Sequence, residues 1–194
     1  MRVIAGSAKS LPLKCVPGMT VRPTTDRIKE TLFNMLMPHL PGCRFLDLFA
    51  GSGAIGIEAL SRGAACCVFV EKSAKAAECI KQNLAFTHLS DRARLVVSDV
   101  SAALGSVLAA EPPFDLIFLD PPYNMNLEKA VLSSLASSAL VAENTIIIVE
   151  CSNDTDFSYV EDLGFDILRK KKYKTNTHLM LGKADEKKER GVSL

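Results

Sequence analysis

The tetrapeptide Asp120-Pro121-Pro122-Tyr123 contains the residue types of this chain best suited to covalent chemistry, and it begins at the end of the apolar run 114–120. An amino group conjugated to a heterocycle is a poor nucleophile because its lone pair is spread into the ring. Two acceptors drawing on its two N–H bonds push it toward tetrahedral geometry. Asp120 supplies one acceptor. The carbonyl of Pro121 supplies the other, held rigidly because Pro122 restricts the backbone of its predecessor. Tyr123 can stack on the plane of a base that has left its helix, a contact worth ~1–3 kcal/mol in nucleic-acid complexes. In-line attack on a sulfonium methyl then needs little beyond positioning. The alternative is a prolyl turn capped by a core tyrosine, and the apolar run ahead of the motif argues against it.

A second group of residues is built to hold a nucleoside. Asp47-Leu48-Phe49-Ala50-Gly51-Ser52-Gly53-Ala54-Ile55-Gly56 contains a G-x-G-x-x-G pattern after a short apolar run, so backbone can approach a ligand closely where a helix begins. Glu71 follows Gly51 by 20 residues, where a carboxylate can accept from both hydroxyls of an adenosine ribose. This pattern alone fits a dinucleotide as well as S-adenosylmethionine. Asp47 tips the balance, since it would repel a pyrophosphate and welcome the ammonium of a methionine moiety. Asp99 is placed to accept from an adenine amino group, or to cap a helix, and the two roles can coexist. For Asp47 the alternative is likewise a capping carboxylate. The expected cofactor set is Asp47, Phe49, Ala50, Gly51, Gly53, Glu71, Lys72 and Asp99, with S-adenosylmethionine as the cofactor.

The remaining reactive residue types propose nothing further. Six cysteines (15, 43, 66, 67, 79, 151) include no Cys-x-x-Cys pair and read as reduced core thiols. The three histidines (39, 88, 178) lack metal-ligand spacing, so no metal is expected.

Positioning these groups requires alternating strands and helices. Near-continuous apolar runs at 44–48, 66–71, 93–97, 114–120 and 145–150 predict buried parallel strands. Helical spacing predicts helices at about 53–62, 73–87, 100–110 and 126–138, with Ser73, Ser101 and Asn126 as N-caps. This order predicts a doubly wound sheet whose ligand crevice lies outside the carboxyl ends of its strands. A short helix near 157–162 and two extended runs, 165–172 and 177–182, would add an antiparallel hairpin. Ahead of the first strand, 24–37 predicts a helix stopped by Pro38, and 2–16 predicts a small hairpin.

The chain has 194 residues, 48% of them hydrophobic and 23% charged, as suits a well-cored globular unit. No apolar run approaches the ~20 residues of a membrane span. The opening residues turn polar at Ser7 and Lys9 before a secretion signal develops, so a cytoplasmic protein is expected. Charge is unevenly distributed. Residues 1–40 hold six Lys/Arg against two Asp/Glu, residues 41–163 hold eight against sixteen, and residues 164–183 hold six against one. Two basic ends that met on one face would form a patch for a phosphate backbone, although Arg169-Lys170-Lys171-Lys172 could equally be a solvated sheet edge.

Taken together, these residues closely resemble the RsmD-type family of 16S ribosomal RNA guanine-N2 methyltransferases. The resemblance runs through Arg2-Val-Ile-Ala-Gly6, Arg22-Pro-Thr-Thr-Asp-Arg27, Glu30-Thr-Leu-Phe-Asn34, Leu46–Gly53, Glu58–Gly63, Val70-Glu-Lys72 and Phe114–Tyr123. It implies a class I methyltransferase with a seven-stranded, mostly parallel, Rossmann-like sheet. It also implies a monomer that methylates a guanine of small-subunit ribosomal RNA, free or in a subunit particle. Two stretches depart from the family pattern. Ser7–Lys14 carries only two lysines where arginines are usual, and Tyr173-Lys-Thr-Asn-Thr177 replaces Tyr-Gly-Asp-Thr.

The expected organisation is one methyltransferase unit over 1–182, with 1–40 as an extension that captures RNA through Arg2, Lys9, Lys14, Arg22 and Arg27. Residues 183–194 are expected to form a charged, disordered tail. Asp120, Pro121, Pro122 and Tyr123 form the expected catalytic set. The same tetrapeptide could serve adenine N6 or a protein glutamine, and the family resemblance alone selects guanine N2. An NAD-dependent dehydrogenase is the rival chemistry, and a non-catalytic RNA-binding module is the rival class.

Overall fold

Strands rich in Val, Ile, Leu and Phe on both faces must be covered on both sides, and here they form the centre of a seven-stranded sheet. The computed structural model describes residues 1–16, 26–122 and 127–184. The strands are β1 (Arg44–Asp47), β2 (Cys66–Glu71), β3 (Ala93–Val97), β4 (Phe114–Leu119), β5 (Val141–Cys151), β6 (Phe165–Lys172) and β7 (Thr177–Lys183), in spatial order β3-β2-β1-β4-β5-β7-β6. β1 to β5 run parallel, and β7 enters antiparallel between β5 and β6. The order reverses between β1 and β4, which is the switch point of a doubly wound sheet.

Helices cover both faces. On one side α1 (Asp26–Leu36), α2 (Ala54–Ser61) and α3 (Ala74–Phe86) bury Leu32, Phe33, Ile57, Ile80 and Leu84 against Phe45, Phe69, Phe118, Ile148 and Met180. On the other side α4 (Val100–Ala102) and α5 (Leu127–Ala136) bury Val100, Val131 and Leu135 against Leu46, Val70, Ile117, Leu119 and Val149. No helix among the described residues is long and apolar enough to cross a membrane.

Ser73 caps α3 as expected, accepting from the Ala76 amide. The cap of α4 is Asp99 rather than Ser101. The Asp99 carboxylate accepts from the Ser101 N–H at 2.9 Å, and Asp99 keeps the extended backbone an N-cap requires. After α4 the chain widens into a π-helical turn, Ala103–Val107, around Gly105, so the helix expected at about 100–110 is α-helical only over Val100–Ala102. Where the short helix near 157–162 is expected, residues 158–164 form consecutive turns. Asp156 accepts from both the amide and the hydroxyl of Ser158, the same two-residue bond that caps α4, yet only turns follow it. Residues 2–16 fold back through turns closed by a single antiparallel bridge, Arg2 with Pro12. Asn126, Tyr123, Arg22 and residues 185–194 of the expected tail lie outside the described residues.

All six cysteines are free. Burial pushes the Cys43 and Cys151 thiols up to about 12, so neither is a ready thiolate.

Candidate active site

The parallel register brings four acids to the same end of the sheet. Asp47 ends β1 opposite Phe69 and Phe118, Glu71 ends β2, Asp120 directly follows β4, and Glu150 lies near the end of β5. Leu119 with Val149 is the last pair of the β4–β5 ladder, and Asp120 and Glu150 are the residues that directly follow it.

Between β1 and α2 the chain turns through Gly51 (φ +55°) and Gly53 (φ +80°), where a side chain would be strained. Gly56 serves a different purpose. A Cβ there would lie 2.3 Å from the Phe69 ring and 2.6 Å from Cys67 Sγ, so its absence lets α2 seat closely on β2. Gly53 is the N-cap of α2 and has no side chain to offer. Asp47 takes over that role from the strand, its Oδ2 accepting from the Gly56 N–H at 3.1 Å.

Asp47 is buried, and its Oδ1 has no hydrogen-bond partner among the described residues. Burial pushes its carboxyl up to about 7; the Gly56 bond opposes the rise and the Glu71 charge reinforces it. Glu71 is also buried. Its Oε2 accepts from Gly51 N–H at 2.8 Å and its Oε1 from Ser73 N–H at 2.7 Å, which leaves acceptor capacity on each oxygen. Glu71 thus ties the end of β2 to the turn after β1. Phe49 is half-buried, the Ala50 amide donates to Val70 O at 3.0 Å, and Lys72 and Asp99 are exposed beside Glu71 and α4.

Asp120 is half-buried and Pro121 is buried behind it. Loss of solvent, followed by the charges of Glu150, Asp47 and Glu128, holds the Asp120 carboxyl well above the usual carboxylate range. Glu150 is itself held in place, accepting from Asn176 Nδ2 at 2.6 Å and bonded to His178 Nε2 at 3.0 Å, both from the last hairpin. Glu128, buried on the first turn of α5, borders a cavity of about 740 Å³ also lined by Lys129, Ser152, Asp154 and Tyr159.

Glu150 and Glu128 are not among the expected site residues. Glu150 carries a signal that could have found it, since it ends an Ile-Ile-Ile-Val-Glu run just as Glu71 ends Val-Phe-Val-Glu.

Of the expected RNA-contacting residues, Arg2, Lys9, Lys14 and Arg27 are described and lie at the surface. Arg2 pairs with Asp26 at 3.0 Å, Lys14 Nζ donates to Gln82 Oε1 at 2.8 Å, and Lys9 and Arg27 are exposed. Arg169, Lys170, Lys171 and Lys172 lie on β6, the outer strand of the sheet, where exposed basic side chains also guard an open edge.

The 3-2-1-4-5-7-6 order with its antiparallel β7, together with the glycine turn and acids at the strand ends, defines the class I S-adenosylmethionine-dependent methyltransferase fold. A family model described as Conserved hypothetical protein 95 matches residues 1–182, and the chain belongs to that family. It is similar to YlbH of Bacillus subtilis strain 168, at 42% identity over 171 residues covering 88% of this chain and 92% of the relative. It is also similar to Ribosomal RNA small subunit methyltransferase D of Escherichia coli K12, at 38% identity over 152 residues covering 77% and 74%. Among solved structures, the Escherichia coli yhhF chain superposes with a TM-score of 0.82 at 32% identity, covering 96% of this chain and 99% of that one. The resemblance stated from the sequence motifs is thereby borne out.

Proposed function

We propose that this protein transfers a methyl group from S-adenosylmethionine to the exocyclic N2 amine of a guanine in small-subunit ribosomal RNA. The observation that carries the reading is Asp120. It is a half-buried carboxylate at the carboxyl end of β4, backed by Pro121 and adjoining Glu150 and Asp47, in a chain similar to a small-subunit ribosomal RNA methyltransferase.

The residues present fit the cofactor. The unpartnered, buried Oδ1 of Asp47 suits an ammonium group, and the open acceptor positions of Glu71 suit a ribose diol. Asp99 would take an adenine amine on the oxygen not engaged with Ser101, while Phe49, Ala50, Gly51, Gly53 and Lys72 would complete the walls. When bound, S-adenosylmethionine supplies an electrophilic sulfonium methyl.

This chain's residues do the rest. The Asp120 carboxylate and the Pro121 carbonyl accept from the two N–H bonds of the target amine and concentrate its lone pair on nitrogen. The crowding of carboxylates that raises Asp120 also makes it a better base, able to take the proton the amine loses as its new N–C bond forms. Tyr123 would stack on the extruded base. Arg2, Lys9, Lys14, Arg22 and Arg27 would hold the phosphate backbone, with residues 1–40 as the RNA-capturing part of a single 1–182 unit. We further propose that the enzyme acts in the cytoplasm as a monomer.

The test is methyl transfer from labelled S-adenosylmethionine to small-subunit RNA prepared without this modification, followed by digestion to nucleosides. Label in N2-methylguanosine supports the reading. Label in N6-methyladenosine would redirect the chemistry to the other exocyclic amine.

A further inference from the structure

The N-terminal arm, residues 1–16, is held to the core by Lys29 of α1, whose Nζ donates to Arg2 O, and by two further anchors that differ in what they touch. At the first, the Ile4 and Ala5 amides donate to the Glu58 carboxylate at 2.8 and 3.0 Å, and Ser61 Oγ exchanges hydrogen bonds with Ala5 O and Ala8 N. That anchor involves α2, with Lys29 of α1 on the same Glu58 carboxylate, and makes no bond to the glycine turn. At the second, the Lys14 N–H donates to Asn83 Oδ1 at 2.8 Å, and Asn83 Nδ2 donates to the Lys14 carbonyl at 3.1 Å. The same Nδ2 donates to the carbonyl of Ser52 at 2.9 Å. Cys79, one turn earlier on α3, adds a contact from its thiol to the Lys14 carbonyl at 3.3 Å.

Ser52 stands between Gly51 and Gly53 in the turn that would receive the cofactor. The Ser52–Gly53 peptide is held on both sides, its carbonyl by Asn83 and its N–H by Ala50 O at 2.7 Å. Asn83 is 1% exposed in the interior of α3, where asparagine is an indifferent helix former. Its amide instead satisfies three backbone groups, two from the arm and one from the loop, so moving either segment breaks bonds shared with the other.

We infer that Asn83 is a positioning residue that couples the N-terminal arm to the glycine loop, so that ordering one favours ordering the other. The inference rests on the reading of the loop as the cofactor site and of the arm as an RNA contact. Because coupling between two sites is reciprocal, RNA on the arm would tighten the cofactor by the same factor as the cofactor tightens RNA.

Hydrogen–deuterium exchange on the full chain, with and without S-adenosylhomocysteine, tests the coupling without RNA. In the wild type the ligand should slow exchange across residues 3–14 by about fivefold or more. In Asn83→Ala the ligand should leave exchange in the arm unchanged while still protecting the loop, a response that a merely structural residue would not abolish. Should that variant fail to fold, Lys14→Pro removes the N–H from which Asn83 accepts, leaves Asn83 in its helix with its bond to the Lys14 carbonyl, and should reduce the response of residues 3–13 to the ligand. An Asn83→Ala protein whose arm responds as the wild type does would overturn the inference, as would a wild-type arm that ignores a ligand calorimetry shows to be bound. A wild type that binds no S-adenosylhomocysteine instead sinks the cofactor reading, and the coupling with it. A wild type whose arm responds but which fails to retain small-subunit RNA on a filter sinks only the RNA reading.

Discussion

Glu71 Oε2 accepts from the Gly51 amide at 2.8 Å, so the acid that ends β2 fixes the turn that follows β1, twenty residues earlier in the chain. Its other oxygen accepts from Ser73 at the start of α3, which makes one carboxylate the joint of three segments. Glu71→Ala should therefore weaken S-adenosylhomocysteine binding by about 10²-fold, since a charged acceptor and the loop geometry disappear together. Glu71→Gln, which keeps one acceptor oxygen, should fall between. Calorimetry on both variants checks this, and the wild type should show no comparable heat with NAD.

The buried Asp47 gives the ligand-free protein a pH signature. A carboxyl raised to about 7 in the folded state holds its proton where the unfolded chain has released it. That contribution to stability is full below the unfolded carboxylate range and is lost as pH rises toward and through about 7. Asp47→Asn should abolish this fall and leave the variant about 2–4 kcal/mol more stable than the wild type at pH 8. It should also bind S-adenosylhomocysteine more weakly. Thermal unfolding from pH 5 to 9 without ligand measures the first effect.

Asp120 is faced by Glu150 from β5, Asp47 from β1 and Glu128 from α5, after burial has already raised its carboxyl. It accepts hydrogen bonds from the amine best when ionised. The rate should thus climb with pH through a limb lying above the ordinary carboxylate range. Glu150→Gln removes the largest of the three charge effects and should move that limb to lower pH. Asp120→Ala should lose methyl transfer by at least about 10²-fold while S-adenosylhomocysteine affinity holds. Initial rates across pH, with binding measured in parallel, separate these outcomes.

Lys29 and Glu58 are both fully buried and pair at 3.0 Å, with Arg62 on the opposite oxygen at 2.7 Å. Lys29 Nζ also donates to Arg2 O, so this cluster fastens the arm from beneath. Desolvation pulls the Lys29 amine below its ordinary value even with Glu58 beside it. Removing Glu58 leaves that cation buried without its carboxylate, and Glu58→Ala should cost about 3–5 kcal/mol in chemical denaturation.

RNA affinity should depend steeply on salt, because the acidic middle of the chain can contribute little to phosphate binding. Changing Lys9 with Lys14, or Arg22 with Arg27, to alanine should flatten the slope of log affinity against log salt by about one unit for each phosphate the variant no longer holds. An unchanged slope with weakened S-adenosylhomocysteine binding would move Arg22 and Arg27 to the cofactor side.

The central sheet and the glycine turn were legible because each rests on local pattern. An apolar run of five or six residues has to be buried, and a G-x-G-x-x-G after it leaves few other turns to make. The Gly51 to Glu71 spacing carries its own geometry, one strand, one helix and the next strand in a parallel sheet. The neighbours of Asp120 are different in kind. Glu150 stands beside it only because β4 and β5 pair with Leu119 opposite Val149, a register set by the packed sheet and not by either segment. Asn83 joins residues 69 and 31 positions away, and nothing in its surrounding sequence marks it. The missing helix at 157–162 shows the converse. Phe157 and Val160 are buried at a three-residue spacing that consecutive turns satisfy as well as a helix does.

The most direct measurement is mass spectrometry of small-subunit ribosomal RNA from a strain lacking this protein, before and after incubation with the purified enzyme and S-adenosylmethionine. The proposed function predicts a gain of one methyl group on N2 of a single guanine, absent when the Asp120→Ala variant is used. A methyl group on another base, or one that appears equally with the variant, would contradict it.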